Sequence, residues 1–203
     1  MAVVSNGTTI IDAGALGSGV ATGKMILIKT LTASNSSTLS FVDGASSVVF
    51  DDTYDSYVFK FINIHADTDT ANWSFNFRDG ATAYDATKTT SYFRAYHAED
   101  NGTAFSYKSD KDIHQGTGFQ ELGFSLHSDA DTSSNGELTV YNPSSTTFVK
   151  HFIARASNGH SAPEVHDTFV AGYCNVTAAI DGVQFKMSTG TFDGVIKLYG
   201  IGG

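Results

Sequence analysis

Seven histidines, His65, His97, His114, His127, His151, His160 and His166, are the side chains of this sequence best suited to bind a metal or move a proton. No two of them stand four residues apart, and a lone cysteine cannot supply a thiolate pair. The helical histidine pair of zinc enzymes is therefore missing, and each histidine reads as an ordinary polar residue of a strand or loop. Two acidic stretches, His65-Ala66-Asp67-Thr68-Asp69 and Ser128-Asp129-Ala130-Asp131 with Asn135-Gly136-Glu137 after it, have the composition of calcium loops. Their glycine and closing glutamate fall at the wrong spacing for an EF-hand, so solvated turns are expected. A nucleophilic hydrolase would need a serine on a strained elbow, but the sequence holds no Gly-X-Ser-X-Gly, and Gly17-Ser18-Gly19 lacks the strand and helix that would flank one. The 21 acids are scattered over turns, where accidental carboxylate pairs are common. Phosphate loops and dinucleotide fingerprints are absent. Tyr84, Phe105, Tyr107 and Phe119, read as loop residues, could stack on a sugar, although packing in a core or between subunits is the commoner use of such rings. No catalytic, cofactor-binding or metal-binding residue is expected on these grounds, and no cofactor is implied.

The elements that would carry these residues are strands. At 203 residues the chain is long enough for one domain that hides roughly 70% of its unfolded surface. Only 16% of residues are charged, glycine numbers 20, and there are 15 Phe and 9 Tyr, a balance that suits strands joined by small polar turns. The net charge of −9 repels a phosphate backbone, and no Lys/Arg cluster offsets it locally, which argues against nucleic-acid binding. Cys174 has no partner for an internal disulfide and is expected to pack as a small hydrophobe. The start, Met1 to Asn6, lacks the basic residues and apolar run of a signal peptide, and the longest aliphatic run, Met25 to Ile28, is too short to span a bilayer, so synthesis and folding in a reducing cytoplasm are expected.

Residues 1–24 stand apart. Gly7, Gly14, Gly17, Gly19 and Gly23 surround a short apolar stretch, Thr9-Ile10-Ile11, which predicts an extended arm. Residues 25–203 read as short alternating strands: 25–30, 38–42, 48–50, 56–65, 72–78, 91–97, 119–126, 137–142, 147–155, 168–176, 183–187 and 195–201. Turns are predicted at Asp43-Gly44, Asp79-Gly80, Asn101-Gly102, Asn135-Gly136, Asn158-Gly159, Asp181-Gly182 and Asp193-Gly194. In 72–78 the aromatics Trp73, Phe75 and Phe77 fall on one face and polar residues on the other, as in a sandwich strand with one wet side. In 57–64 both faces are apolar, which suits a central strand or, the preferred reading, a strand whose outer face meets another subunit. The final segment, Gly194 to Ile201, must be paired or shielded, because a bare hydrophobic edge recruits other chains. These features predict an all-β fold, an antiparallel β-sandwich.

The stretches Ser34 to Phe41, Ser47 to Phe50 and Thr53 to Phe59, the inner pieces Lys88 to His97 and Tyr141 to Phe152, and the close, Phe185 to Ser188 with Gly194 to Ile201, resemble a jelly-roll family found among structural proteins of tailed, particularly marine, bacteriophages. The likeness covers about residues 25 to 201 and leaves the arm outside. It implies a jelly-roll sandwich with a non-enzymatic role in the virion, as a head decoration, neck or tail-fibre protein. It also implies a multimer, for which a homotrimer is the expectation, joined through the arm to other capsid or tail proteins. The alternative is the receptor-binding tip of a tail fibre that grips host-surface glycan through loop aromatics and acids.

Overall fold

A computed structural model of the chain describes residues 2–5, 7–12, 15–16 and 25–202, and among these there is no helix. Three short strands, β1 (Val3–Ser5), β2 (Thr8–Asp12) and β3 (Ala15–Leu16), form a small antiparallel sheet. The described part of the glycine-rich segment is thus folded back on itself rather than drawn out as one extended stretch, with a turn at Gly7, whose φ of 80° costs a residue without Cβ nothing. The rest of the predicted arm, residues 13–14 and 17–24 among them, lies outside the described residues.

Twelve strands build the body: β4 (Met25–Ser36), β5 (Thr38–Val42), β6 (Ser56–Ala66), β7 (Ala71–Arg78), β8 (Lys88–Ala98), β9 (Thr103–Tyr107), β10 (Gln120–Leu126), β11 (Ser134–Tyr141), β12 (Lys150–Gly159), β13 (Glu164–Cys174), β14 (Gly182–Met187) and β15 (Phe192–Ile201). They form two antiparallel sheets, a wide one in the order β4-β15-β6-β11-β12-β13-β8-β9 and a narrow one in the order β10-β7-β14-β5. The sheets face each other as a β-sandwich. Strand alternation sends Trp73, Phe75 and Phe77 of β7 and Phe185 of β14 inward, where they meet Phe59 and Phe61 of β6 and Phe152 of β12. Their rings meet mainly edge to face or tilted, with centroids 5.2–6.0 Å apart.

Four expectations are corrected. The middle of β7's polar face is dry: Ser74 is buried and Asn76 fully so, because the loop before β8 and the segment before β10 fold over Asn76, whose Nδ2 donates to the carbonyls of Tyr84 and Thr117 at 2.5 and 2.9 Å. β6 is central in the wide sheet, between β15 and β11; on its outer face Val58 is buried within the chain while Ile62 is 37% exposed. Asn135-Gly136, Asn158-Gly159 and Asp193-Gly194 are strand residues, not turns. Gly136 is required there because a Cβ would come within 2.2 Å of the Arg155 carbonyl oxygen. Finally, residues 48–50 are not a strand, and β9 was not foreseen. Gly194, with φ of 135°, sits at a β-bulge of β15 opposite β6.

Candidate functional site

β12 and β13 form a hairpin within the wide sheet, in register from Lys150 opposite Cys174 to Gly159 opposite Val165. Period-two alternation puts Glu164 and His166 on one face of β13. The connecting loop then turns back sharply: His160 N–H donates to the Glu164 carbonyl at 3.1 Å, and Glu164 N–H donates to the Ala162 carbonyl at 2.7 Å. Ala162 N–H donates to His160 Nδ1 at 3.0 Å and fixes that ring. Three side chains converge as a result. Glu164 Oε1 lies 2.8 Å from His166 Nε2 and 3.1 Å from His160 Nδ1, and the two imidazole centroids are 4.2 Å apart. Ligand atoms from all three fall within 4.8 Å of one another.

Aromatic and cationic groups frame this trio. Phe124 of β10 stacks on His160 at 5.7 Å, and Tyr96 of β8 lies 5.8 Å from His166. Phe124 in turn has the Arg94 guanidinium 4.9 Å and the Lys111 ammonium 4.4 Å from its ring centroid. Deeper between the sheets, Glu121 accepts from the Tyr92 hydroxyl at 3.2 Å and faces Lys111 Nζ at 3.4 Å; burial raises its carboxyl above the usual range. Burial also pushes both His160 and His166 below the ordinary imidazole range, with Glu164 opposing. Two buried nitrogens here, His166 Nδ1 and Arg94 Nε, have no hydrogen-bond partner. His160 and Glu164 open onto a surface depression of about 650 Å³ that is also lined by His97, Glu99, His127, Asp129 and Asp131, while His166 is buried.

The other residues singled out in the sequence are dispersed. His65 Nδ1 lies 2.8 Å from the Thr132 carbonyl, His114 is exposed in a loop, and His151 sits beside Tyr173 on the outer face of the wide sheet. Of the acidic stretches, Asp67 accepts from Thr191 N–H at 2.8 Å and Thr191 Oγ1 at 2.7 Å, which fastens the β14–β15 loop and holds its carboxyl below the usual range. Asp69 and Asp129 approach His127 Nδ1 at 3.7 and 3.6 Å. Phe105 and Tyr107 belong to β9 rather than to a loop, Phe119 lies under Lys186 at 4.2 Å, and Tyr84 is half-buried. Cys174 is buried as expected, and burial pushes its thiol up to about 12.

Sequence reasoning missed the trio because it tested only helical spacing. The available signal was His160-x₃-Glu164-x-His166, in which the last two residues have strand spacing and the first is returned by a Pro-containing loop. Compared with known protein families, curated proteins and solved structures, the chain matches none, so what it does is argued from its own geometry.

Proposed function

We propose that this chain is a non-enzymatic structural subunit of a bacteriophage particle, a jelly-roll sandwich that assembles with identical copies, most simply as a homotrimer. The observation that carries this reading is the pair of free edges of the wide sheet. β9 at one edge exposes Phe105 and Tyr107, at 71% and 55%, and contains neither a charge nor a proline to blunt it. β4 at the other edge exposes Met25 and Leu27, at 42% and 52%. Two different apolar edges on one sheet suit a head-to-tail contact, β9 of one copy on β4 of the next, and such contacts close into rings.

The strand path supports the jelly-roll part of the reading. With β8–β9 and the β12–β13 hairpin set aside, eight strands remain, β4-β15-β6-β11 in the wide sheet facing β5-β14-β7-β10 in the narrow one, with the chain's first and last body strands paired, as in a double Greek key. The β12–β13 hairpin and β8–β9 then widen the sheet beyond β11. In this reading residues 1–24 attach the subunit to capsid or tail proteins.

A second reading, glycan capture at a fibre tip, draws on the same exposed Phe105 and Tyr107, since aromatic faces stack on sugars and Asp112, which accepts from the Tyr107 hydroxyl at 2.5 Å, offers a carboxylate. Sedimentation of the full chain separates the two. Assembly predicts a multimer that Phe105→Ser with Tyr107→Ser converts to folded monomer, and recovery of the chain by mass spectrometry from purified particles made by the encoding genome. A monomer at all concentrations that binds host cells saturably, and loses that binding in the double variant, would replace the first reading with the second.

A further inference from the structure

We propose that His160, Glu164 and His166 form a binding site for a divalent transition-metal ion of the zinc class, with its remaining position open to the depression. Ligands bonded about 2.0–2.2 Å from a single tetrahedral ion lie roughly 3.3–3.6 Å from one another. The two nitrogen-to-Oε1 separations, 2.8 and 3.1 Å, need to open by only a few tenths of an ångström to reach that spacing. Two imidazoles and one carboxylate are a zinc-type donor set, whereas calcium and magnesium take oxygen ligands.

Two further observations indicate that the trio is incomplete without a cation. Glu164 has a side chain only 17% exposed, yet its ion-pairing contacts among the described residues are the two imidazoles, and no lysine or arginine pairs with it. His166 has a side chain 1% exposed, and Glu164 is the one group among the described residues that meets its Nε2. A cation held between the three supplies the missing positive charge. His160 Nδ1, which now accepts from Ala162 N–H, would give up that bond to hold the ion. Metal binding then clips the loop at residues 160–163 onto the start of β13.

The test is calorimetric titration of the chelator-treated full chain with zinc sulfate, and with cobalt chloride for its visible absorption. One equivalent should bind, raise the melting temperature and, for cobalt, give the intense bands of a low-coordinate nitrogen and oxygen site. His160→Ala and Glu164→Gln change partly exposed side chains, so both variants should stay folded by circular dichroism while losing more affinity than the roughly 10–100-fold that outer-shell changes cost. His97→Ala and His127→Ala, on the rim, should bind as the parent does. Absence of saturable binding by the parent, unchanged affinity in His160→Ala and Glu164→Gln, or loss of binding in the rim variants instead would each overturn the site.

Discussion

The inner face of β12, β13 and β8 carries polar side chains at both ends, and the two ends treat them oppositely. At one end Lys150, Cys174 and Lys88 lie side by side across the three strands, all buried. Lys150 Nζ donates to the carbonyls of Ser145, Phe148 and Val176 at 3.0, 3.2 and 2.9 Å, and Lys88 Nζ to those of Ala86 and Gly118 at 3.0 and 2.8 Å. Five loop and strand-end carbonyls at that end of the sandwich thus find a charged donor. At the other end, Asn158, His166 and Tyr96 occupy the equivalent row. Asn158 is fully used, by Leu122, Ala156, Thr168 and Ser134, but His166 and neighbouring Arg94 each keep an orphaned nitrogen. A buried polar group that is satisfied by its own chain is structure; one that is left wanting, as Trp73 Nε1 also is within the aromatic core, calls for an explanation of its own. The lysines act as caps for loops, while the histidines mark the end of the sheet where we place the ion.

The largest effect that can break this contrast is at Lys150. Lys150→Met keeps much of the side chain's bulk but leaves three buried carbonyls without a donor, and urea unfolding should show a loss of about 4 kcal/mol. A neutral outcome would mean that water reaches those carbonyls and that the cage is not what holds the end closed. Lys88 gives a smaller, pH-dependent effect. Burial lowers its amine to about 8 in the folded chain, against 10.5 when exposed. Between those values the unfolded chain binds more protons, so stability rises with pH. Above pH 9 the thiol of Cys174, held high by burial, works in the opposite direction, because the unfolded state then loses the proton first. The expected profile is a rise of about 1 kcal/mol from pH 8 to pH 9 followed by a plateau, and a much flattened rise in Lys88→Met.

The same two ends mark how far the sequence could be read. β5 and the aromatic face of β7 were legible to the residue, because period-two alternation is a local signal and inward aromatics obey it wherever the partner strand lies. Lys88 and Lys150 were not, since a lysine in a strand reads as solvated and only the loops arriving from distant parts of the chain bury it. The wet face assigned to β7 failed for the same reason. His160, Glu164 and His166 stood within seven residues of one another, but their convergence depends on which way the β12–β13 loop closes, and that is fixed by hydrogen bonds in the hairpin rather than by residue type. β9 was lost because Thr103–Tyr107 is short and flanked by turn residues, although its alternation, with Phe105 and Tyr107 on one face, was present.

The smallest expected effect is also the sharpest, and it lies at His166. Replacing a satisfied buried polar group should be costly, as at Lys150. Replacing an unsatisfied one should not be. His166→Leu removes a ring whose Nδ1 is buried without a partner and whose neutral form burial already favours, and it loses a single bond to Glu164, whose carboxylate keeps its contact with His160. The gain and the loss are both of order 1 kcal/mol, so chemical unfolding of the metal-free variant should give a stability within about 1 kcal/mol of the parent. The same substitution should abolish the zinc-dependent rise in melting temperature. A loss of several kcal/mol without metal would place His166 with the lysines, as a structural group whose partners lie closer than the hydrogen bonds indicate. A near-neutral change together with lost zinc response would mean that His166 serves the ion and not the fold.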